Sequence, residues 1–138
     1  MSNLRRELGV IAANGKIYAI GGLGPRGVLK VNEEYDPIAD NWVLKAPLPT
    51  SRANFGICVY QNKIYCIGGT TNVGVKERYL SHQFSELNVT GLNEVYDPRI
   101  NTWETKTSMP TPRADLSISV ANGKIYVIGG LWGGSKNL

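Results

Sequence analysis

The sequence predicts an all-β fold assembled from repeated four-stranded antiparallel sheets, and three observations predict it. The first is a stretch spelled three times, as NGKIYAIGG over 14–22, NKIYCIGG over 62–69 and NGKIYVIGG over 122–130. A fixed internal period dictates a whole architecture, so the remaining residues are read against these anchors. The second is the constancy of what surrounds them. Arg5, Arg52 and Arg113 each lie 17 positions before the second glycine of a pair. Tyr-Asp-Pro follows the first two anchors, ending at Pro37 and Pro98, and a tryptophan comes five positions later, at Trp42 and Trp103. The third is where the spacing breaks. The repeat measures 47 residues from Arg5 to Arg52 and 61 from Arg52 to Arg113, and the 14 additional residues all fall between Gly69 and Tyr96. One loop absorbs the difference.

Each repeat opens with an apolar run that turns back on itself. Asn14-Gly15 and Asn122-Gly123 stand between apolar segments, the usual sequence of a two-residue type I′ hairpin. Gln61-Asn62 fills that place in the second copy, where asparagine tolerates positive φ. The runs on either side (LGVIAA with KIYAI, FGICVY with KIYCI, LSISVA with KIYVI) are apolar or small at both parities. That pattern predicts strands buried on both faces. Gly21-Gly22, Gly68-Gly69 and Gly129-Gly130 then end the second strand where no side chain is tolerated, through close backbone approach or positive φ. The more polar pairs EEY with NWVLK, and EVY with TWETK, predict third and fourth strands towards an outer edge. Between them Asp-Pro makes the turn, since proline cannot donate to a ladder. Trp42 and Trp103 supply apolar mass to pack one sheet on the next. Pro47, Pro49, Pro110 and Pro112 mark the link back to the middle of the molecule. Four-stranded units of about 50 residues are the signature of a β-propeller blade. The sequence thus predicts an incomplete propeller spanning 1–138, with blades over 5–47 and 52–109 and half a blade over 113–131.

Gly-Gly, then Tyr-Asp-Pro, then Trp, then Pro-x-x-Arg resembles the kelch repeat over almost the whole chain. The resemblance implies that the glycine pairs are the kelch diglycines and that Tyr35 and Tyr96 pack with Trp42 and Trp103. It also implies a protein–protein interaction scaffold, a piece of a larger propeller or adaptor, whose partners are proteins or the remaining blades. Kelch relatives bind mostly on the face shared by the connections from the second to the third strand of each blade and from the fourth strand to the next blade's first, near the central channel. Here that face carries 23–30, 70–91 and the starts of the inner strands. Loops on a rigid scaffold are where recognition is usually placed. The expected partner-binding residues are therefore Arg26, Glu7, Asn54 and Asp115, with Lys76, Arg78, Tyr79, His82 and Phe84 in the long loop. Aromatics beside cations have the composition of interface hot spots. The competing reading of 70–91 is a tolerated insertion, because lengthening a surface loop costs little entropy. Recurrence of Arg5, Arg52 and Arg113 in every copy predicts structural hydrogen bonding. The alternative function is a kelch-fold sugar enzyme, such as a sialic-acid mutarotase-like protein, with Glu7, Asp115 and Arg52 around the channel.

Other signals for chemistry fail their context. Gly22-Leu23-Gly24-Pro25-Arg26-Gly27 fits G-x-G-x-x-G, but VLKVNEEYDP after it is too short for a crossover helix. His82 is the one histidine, so a metal site lacks ligands. No Ser-His-Asp or Cys-His pairing stands out. The expectation is no catalytic residues, no metal and no cofactor. The net charge of +4 comes from 15 basic and 11 acidic residues that are scattered, whereas a nucleic-acid face needs a dense basic stripe. No apolar run approaches the 18 or so residues of a membrane helix, so neither nucleic acid nor membrane is expected as a partner. Asn88-Val89-Thr90 fits the glycosylation pattern but nothing else points to secretion. MSNLRRELG has no leader character, and Met1 aligns with Leu48 and Met109, as an internal methionine of a longer array would. A two-residue turn at 61–62 places Cys58 opposite Tyr65 and turns Cys66 to the other face. Two free thiols are expected, which leans towards a reducing, cytoplasmic compartment.

Overall fold

The computed structural model describes residues 1, 4–71 and 88–132, and the described residues form strands, turns and loops without a helix. The first sheet begins with the hairpin of β1 (Gly9–Ala13) and β2 (Lys16–Ile20). A two-residue hairpin, β3 (Leu23–Gly24) with β4 (Gly27–Val28), follows the glycine pair. Then come β5 (Asn32–Asp36) and β6 (Asn41–Leu44), giving the sheet order β1-β2-β5-β6. The second sheet repeats the plan with β7 (Gly56–Tyr60), β8 (Lys63–Ile67), β9 (Asn93–Asp97) and β10 (Thr102–Lys106) in consecutive antiparallel order. In the third repeat, β12 (Ser117–Ala121) pairs β13 (Lys124–Ile128), and β11 (Arg113–Ala114) pairs β14 (Leu131–Trp132). These are the propeller blades the repeat predicted, as a partial ring.

All three hairpin turns hold both central residues at positive φ. Asn14 and Gly15 stand at 51° and 74°, Gln61 and Asn62 at 49° and 60°, Asn122 and Gly123 at 49° and 69°. The second turn keeps its form without glycine. The register follows from it: Cys58 lies opposite Tyr65 and Ile57 opposite Cys66, so the two thiols face opposite sides of the sheet.

The sheets stack through their innermost strands, β1 on β7 and β7 on β12. Between the first two lies the core: Ala13, Tyr18 and Ile20 cluster with Ile64, Cys66 and Tyr96, and Leu48 and Phe55 belong to the same cluster. Tyr18 and Tyr96 meet edge to face with centroids 5.9 Å apart. Trp103 stacks on Tyr96 at 5.1 Å and donates Nε1–H to the Ala46 carbonyl of the first blade at 2.8 Å. Asn101 Oδ1 accepts from Ala46 N across the same seam and from Tyr96 O–H within its own blade.

Burial on both faces holds only where a blade has neighbours on both sides. Trp42 stacks on Tyr35 as Trp103 does on Tyr96, yet the face it occupies has no sheet against it among the described residues, and it stays 39% exposed. Val10 is exposed where its counterpart Ile57 packs on the core, and Ile128 is exposed where Ile20 and Ile67 are buried. The strand pattern is the same; the neighbour differs.

The glycine pairs serve two different approaches. A Cβ at the first glycine would meet the next repeat's arginine carbonyl, 2.6 Å away at Gly21 and 2.5 Å at Gly68, while at Gly129 it meets nothing. A Cβ at the second glycine would meet its own repeat's inner-strand lead: Arg6 O at Gly22, Ala53 O at Gly69, Ala114 O at Gly130. The first glycine admits the next blade and the second admits its own.

Candidate partner-binding face

At one end of the stacked blades, the lead into each inner strand has an unusual backbone. Glu7, Asn54 and Asp115 occupy the same repeat position, and all are left-handed, at φ 57°, 56° and 53°. Such a conformation costs energy in residues with a Cβ and persists where the surroundings over-determine it. Here the surroundings are backbone bonds from blade to blade: Asn54 N donates to Glu7 O at 3.0 Å and Asp115 N donates to Asn54 O at 2.9 Å. The ladder fixes three polar side chains at successive steps around the inner end of the stack. Glu7 and Asn54 are half-buried and Asp115 is exposed.

The segments that follow the glycine pairs come up at the same end, because residue 6 pairs residue 23, Ala53 pairs Thr70 and Ala114 pairs Leu131. Arg26 therefore sits, exposed, at the tip of the β3–β4 hairpin on this face. The G-x-G-x-x-G segment is that hairpin and not a phosphate loop. Arg6 is exposed beside Glu7, with Nε 3.6 Å from Oε1. The long loop leaves and returns here too: Thr71 N donates to Asn88 O and Thr90 N to Gly69 O. Lys76, Arg78, Tyr79, His82 and Phe84 lie outside the described residues. The structure thus brings Glu7, Asn54, Asp115 and Arg26 to one end, with the base of the 70–91 segment.

The recurring arginines are structural. Arg52 Nη1 donates to Gly68 O and Leu92 O; Nη2 donates to Cys66 O and to Glu94 Oε2 at 2.7 Å. Arg5 makes the same four contacts with Gly21, Val31, Ala19 and Glu33. Both guanidinium groups are wholly buried, and their glutamates nearly so. Burial lowers the pKa of Arg52 from its ordinary value, against the attraction of Cys66 and Glu94, and burial lowers that of Arg5 against Glu33. Arg52 accordingly has no surface to offer a sugar, which removes it from the acid–base set considered with Glu7 and Asp115. Glu33 and Glu94 were missed in the sequence, although the signal was there: Asn-Glu-x-Tyr opens the third strand in both complete repeats. Among the described residues no three His, Cys, Asp or Glu side chains gather as a metal site would require.

Four-stranded blades stitched by an arginine clip, a diglycine and a Tyr–Trp stack define a segment of a propeller of the kelch type. The Kelch motif profile matches residues 4–49 and 51–82, and the chain belongs to that family. It is 30% identical over 142 residues to Kelch repeat and BTB domain-containing protein 12 of Homo sapiens, over 93% of this chain and 22% of that protein. It is 37% identical over 119 residues to Kelch-like protein 28 of Homo sapiens, over 85% of this chain and 20% of that one. The chain thus spans about a fifth of the length of these relatives. The solved structure of YjhT superimposes with a TM-score of 0.77 at 18% identity, over 91% of this chain and 45% of that chain, a likeness of fold.

Proposed function

We propose that this chain is a non-enzymatic interaction scaffold, part of a larger kelch propeller, which holds a protein partner on the end bearing Glu7, Asn54, Asp115, Arg26 and the 70–91 segment. The observation that carries the reading is the blade-to-blade ladder through Glu7, Asn54 and Asp115. A left-handed backbone held by the neighbouring blade presents polar side chains in fixed positions, and preorganised groups lose little entropy on binding. Similarity to kelch-like proteins of matching repeat pattern supports it. The 14 additional residues of the second repeat fall in the segment between Gly69 and Tyr96, whose base, Thr71 bonded to Asn88, stands at this end.

The test is cross-linking and affinity capture with the intact chain, the Glu7→Lys/Asn54→Ala/Asp115→Lys variant, and a chain lacking 72–87. None of these changes touches a strand among the described residues, so the β spectrum should be retained. A partner held here should be lost or weakened in at least one variant. Equal capture by all three would refute the assignment of this face.

A further inference from the structure

The seam between the first two blades encloses two polar atoms that no protein group answers. Asn32 pairs with Ile20, so its side chain shares a face with Tyr18 and Ile20, which cluster with Ile64, Cys66 and Tyr96 of the second blade. Asn32 is 1% exposed. Its Nδ2 donates to Ala46 O at 3.1 Å, which fixes the orientation of the amide, and its Oδ1 has no donor among the described residues. Arg52 enters the same seam from the other side. Its backbone is bonded to the first blade, N to Leu29 O and O from Gly22 N. Its guanidinium reaches the second blade at Cys66 O and Glu94 Oε2. The side chain is wholly buried, with the Phe55 ring 5.6 Å from Cζ, yet Nε–H has no acceptor among the described residues.

The other side chains of the seam are already committed. Tyr96 O–H donates to Asn101 Oδ1, Tyr18 O–H to Glu34 Oε2 and Trp103 Nε1–H to Ala46 O. Glu94 takes Thr50 O–H on one oxygen and Arg52 Nη2 on the other. This seam has both of its blades, and their packing satisfies neither atom. The equivalent atoms of the other repeats, Arg5 Nε and Asn93 Oδ1, are likewise buried and unpaired, so the repeat itself sets the pattern. Native interiors satisfy nearly all such groups with protein or ordered water, because leaving them bare costs their hydration. We propose that the seam is an internal hydration site, in which an ordered water donates a hydrogen bond to Asn32 Oδ1 and accepts one from Arg52 Nε–H. One orphaned acceptor and one orphaned donor call for a neutral molecule that can act as both. Glu94 already balances Arg52, so an ion of either sign would add an uncompensated buried charge. Water is the smallest molecule that meets these demands, and it is held by polar groups of this kind in buried sites. The site lies between the blades and is independent of the partner-binding end.

Two measurements on the intact chain test it. In a crystal structure at atomic resolution, one solvent peak should stand within about 2.7–3.2 Å of both Asn32 Oδ1 and Arg52 Nε. In solution, the Arg52 Nε–H resonance should show a nuclear Overhauser cross-peak to water with the sign of a long-lived contact. Asn32→Leu replaces the amide by an apolar group of similar size and should abolish that cross-peak. Asn93→Leu makes the same change on the far face of the second blade, since Asn93 and Glu94 are adjacent in β9 and point to opposite sides, and should leave the cross-peak as it was. The measurements on the unaltered chain decide the matter even if a leucine variant folds poorly. Absence of solvent at either atom, a protein donor on Asn32 Oδ1, no water cross-peak at Arg52, or a cross-peak that survives Asn32→Leu would each overturn the proposal.

Discussion

At the scale of single residues, the arginine carries the most consequence and its three copies form a natural series. Removing one member of a buried, hydrogen-bonded ion pair leaves the other charge uncompensated and costs about 3–5 kcal/mol. Arg52→Met should therefore destabilise by about that much in urea unfolding, since Glu94 stays buried beside it. Arg113→Met, which gives up one exposed carbonyl bond, should cost about 1 kcal/mol or less. Equal losses at the two positions would contradict a clip that is complete only in the full blades. The thiols make a second residue-scale case. Burial pushes Cys58 up to about 11 and Cys66 to about 12, against about 8.5 in an unfolded chain. Folded thiols keep their protons to higher pH than unfolded ones, so the stability they contribute is whole below about pH 8.5 and drains as pH rises towards those values. The thermal midpoint should fall from about pH 9, before tyrosine titration begins near 10, and Cys66→Ala should flatten the fall in that window. At pH 8 neither thiol should alkylate readily in the folded chain, and both should after unfolding.

At the scale of elements, hairpins, strand order and Trp–Tyr stacks were legible because each rests on local chemistry: a turn pair, a run of parity, an aromatic at fixed offset. Not legible was what each element meets. Trp42 and Trp103 are the same letter in the same place, but only Trp103 lies in a seam, with its N–H on Ala46 O. Trp103→Ala should cost about 3 kcal/mol, the scale of deleting a packed aromatic, whereas Trp42→Ala should cost well under half as much; comparable losses in denaturant midpoints would contradict the placement. The Gln61-Asn62 turn offers the opposite experiment. Both residues are left-handed, a conformation glycine adopts without the Cβ penalty. Asn62→Gly should raise stability by about 0.5–1 kcal/mol, and a loss there would mean that the Asn62 side chain holds the turn by a bond of its own.

At the scale of the whole molecule, the period revealed the blades and the resemblance revealed the family, because both are properties of sequence against itself. The site was legible only as a face: repeat position marked Glu7, Asn54 and Asp115, but the left-handed ladder joining them is made by neighbouring blades and has no local sequence signal. The same limit applies to the two outer faces. Val10, Trp42 and Leu44 are exposed on one side and Tyr126 and Ile128 on the other. Within the chain the equivalents of Val10 and Trp42 lie against the blade before them, and those of Ile128 lie buried against the blade after. The two faces are therefore opposite halves of one kind of seam, and contiguous apolar surface of this sort drives association. A contact between unlike faces continues from copy to copy unless rotation closes it. The 138-residue chain alone should thus self-associate reversibly, with a sedimentation coefficient that climbs with concentration. Leu44→Glu with Ile128→Glu, one charge on each face, should abolish the climb while leaving the β spectrum unchanged, since neither residue is buried. Either single substitution should suffice by itself, because each contact joins two unlike faces and a pure variant lacks one of them on every copy. A sharp monomer at all concentrations, with a single cooperative unfolding transition, would show that the exposed faces do not attract, and the seam inside the molecule would then owe its strength to the clip and the linkers more than to apolar contact.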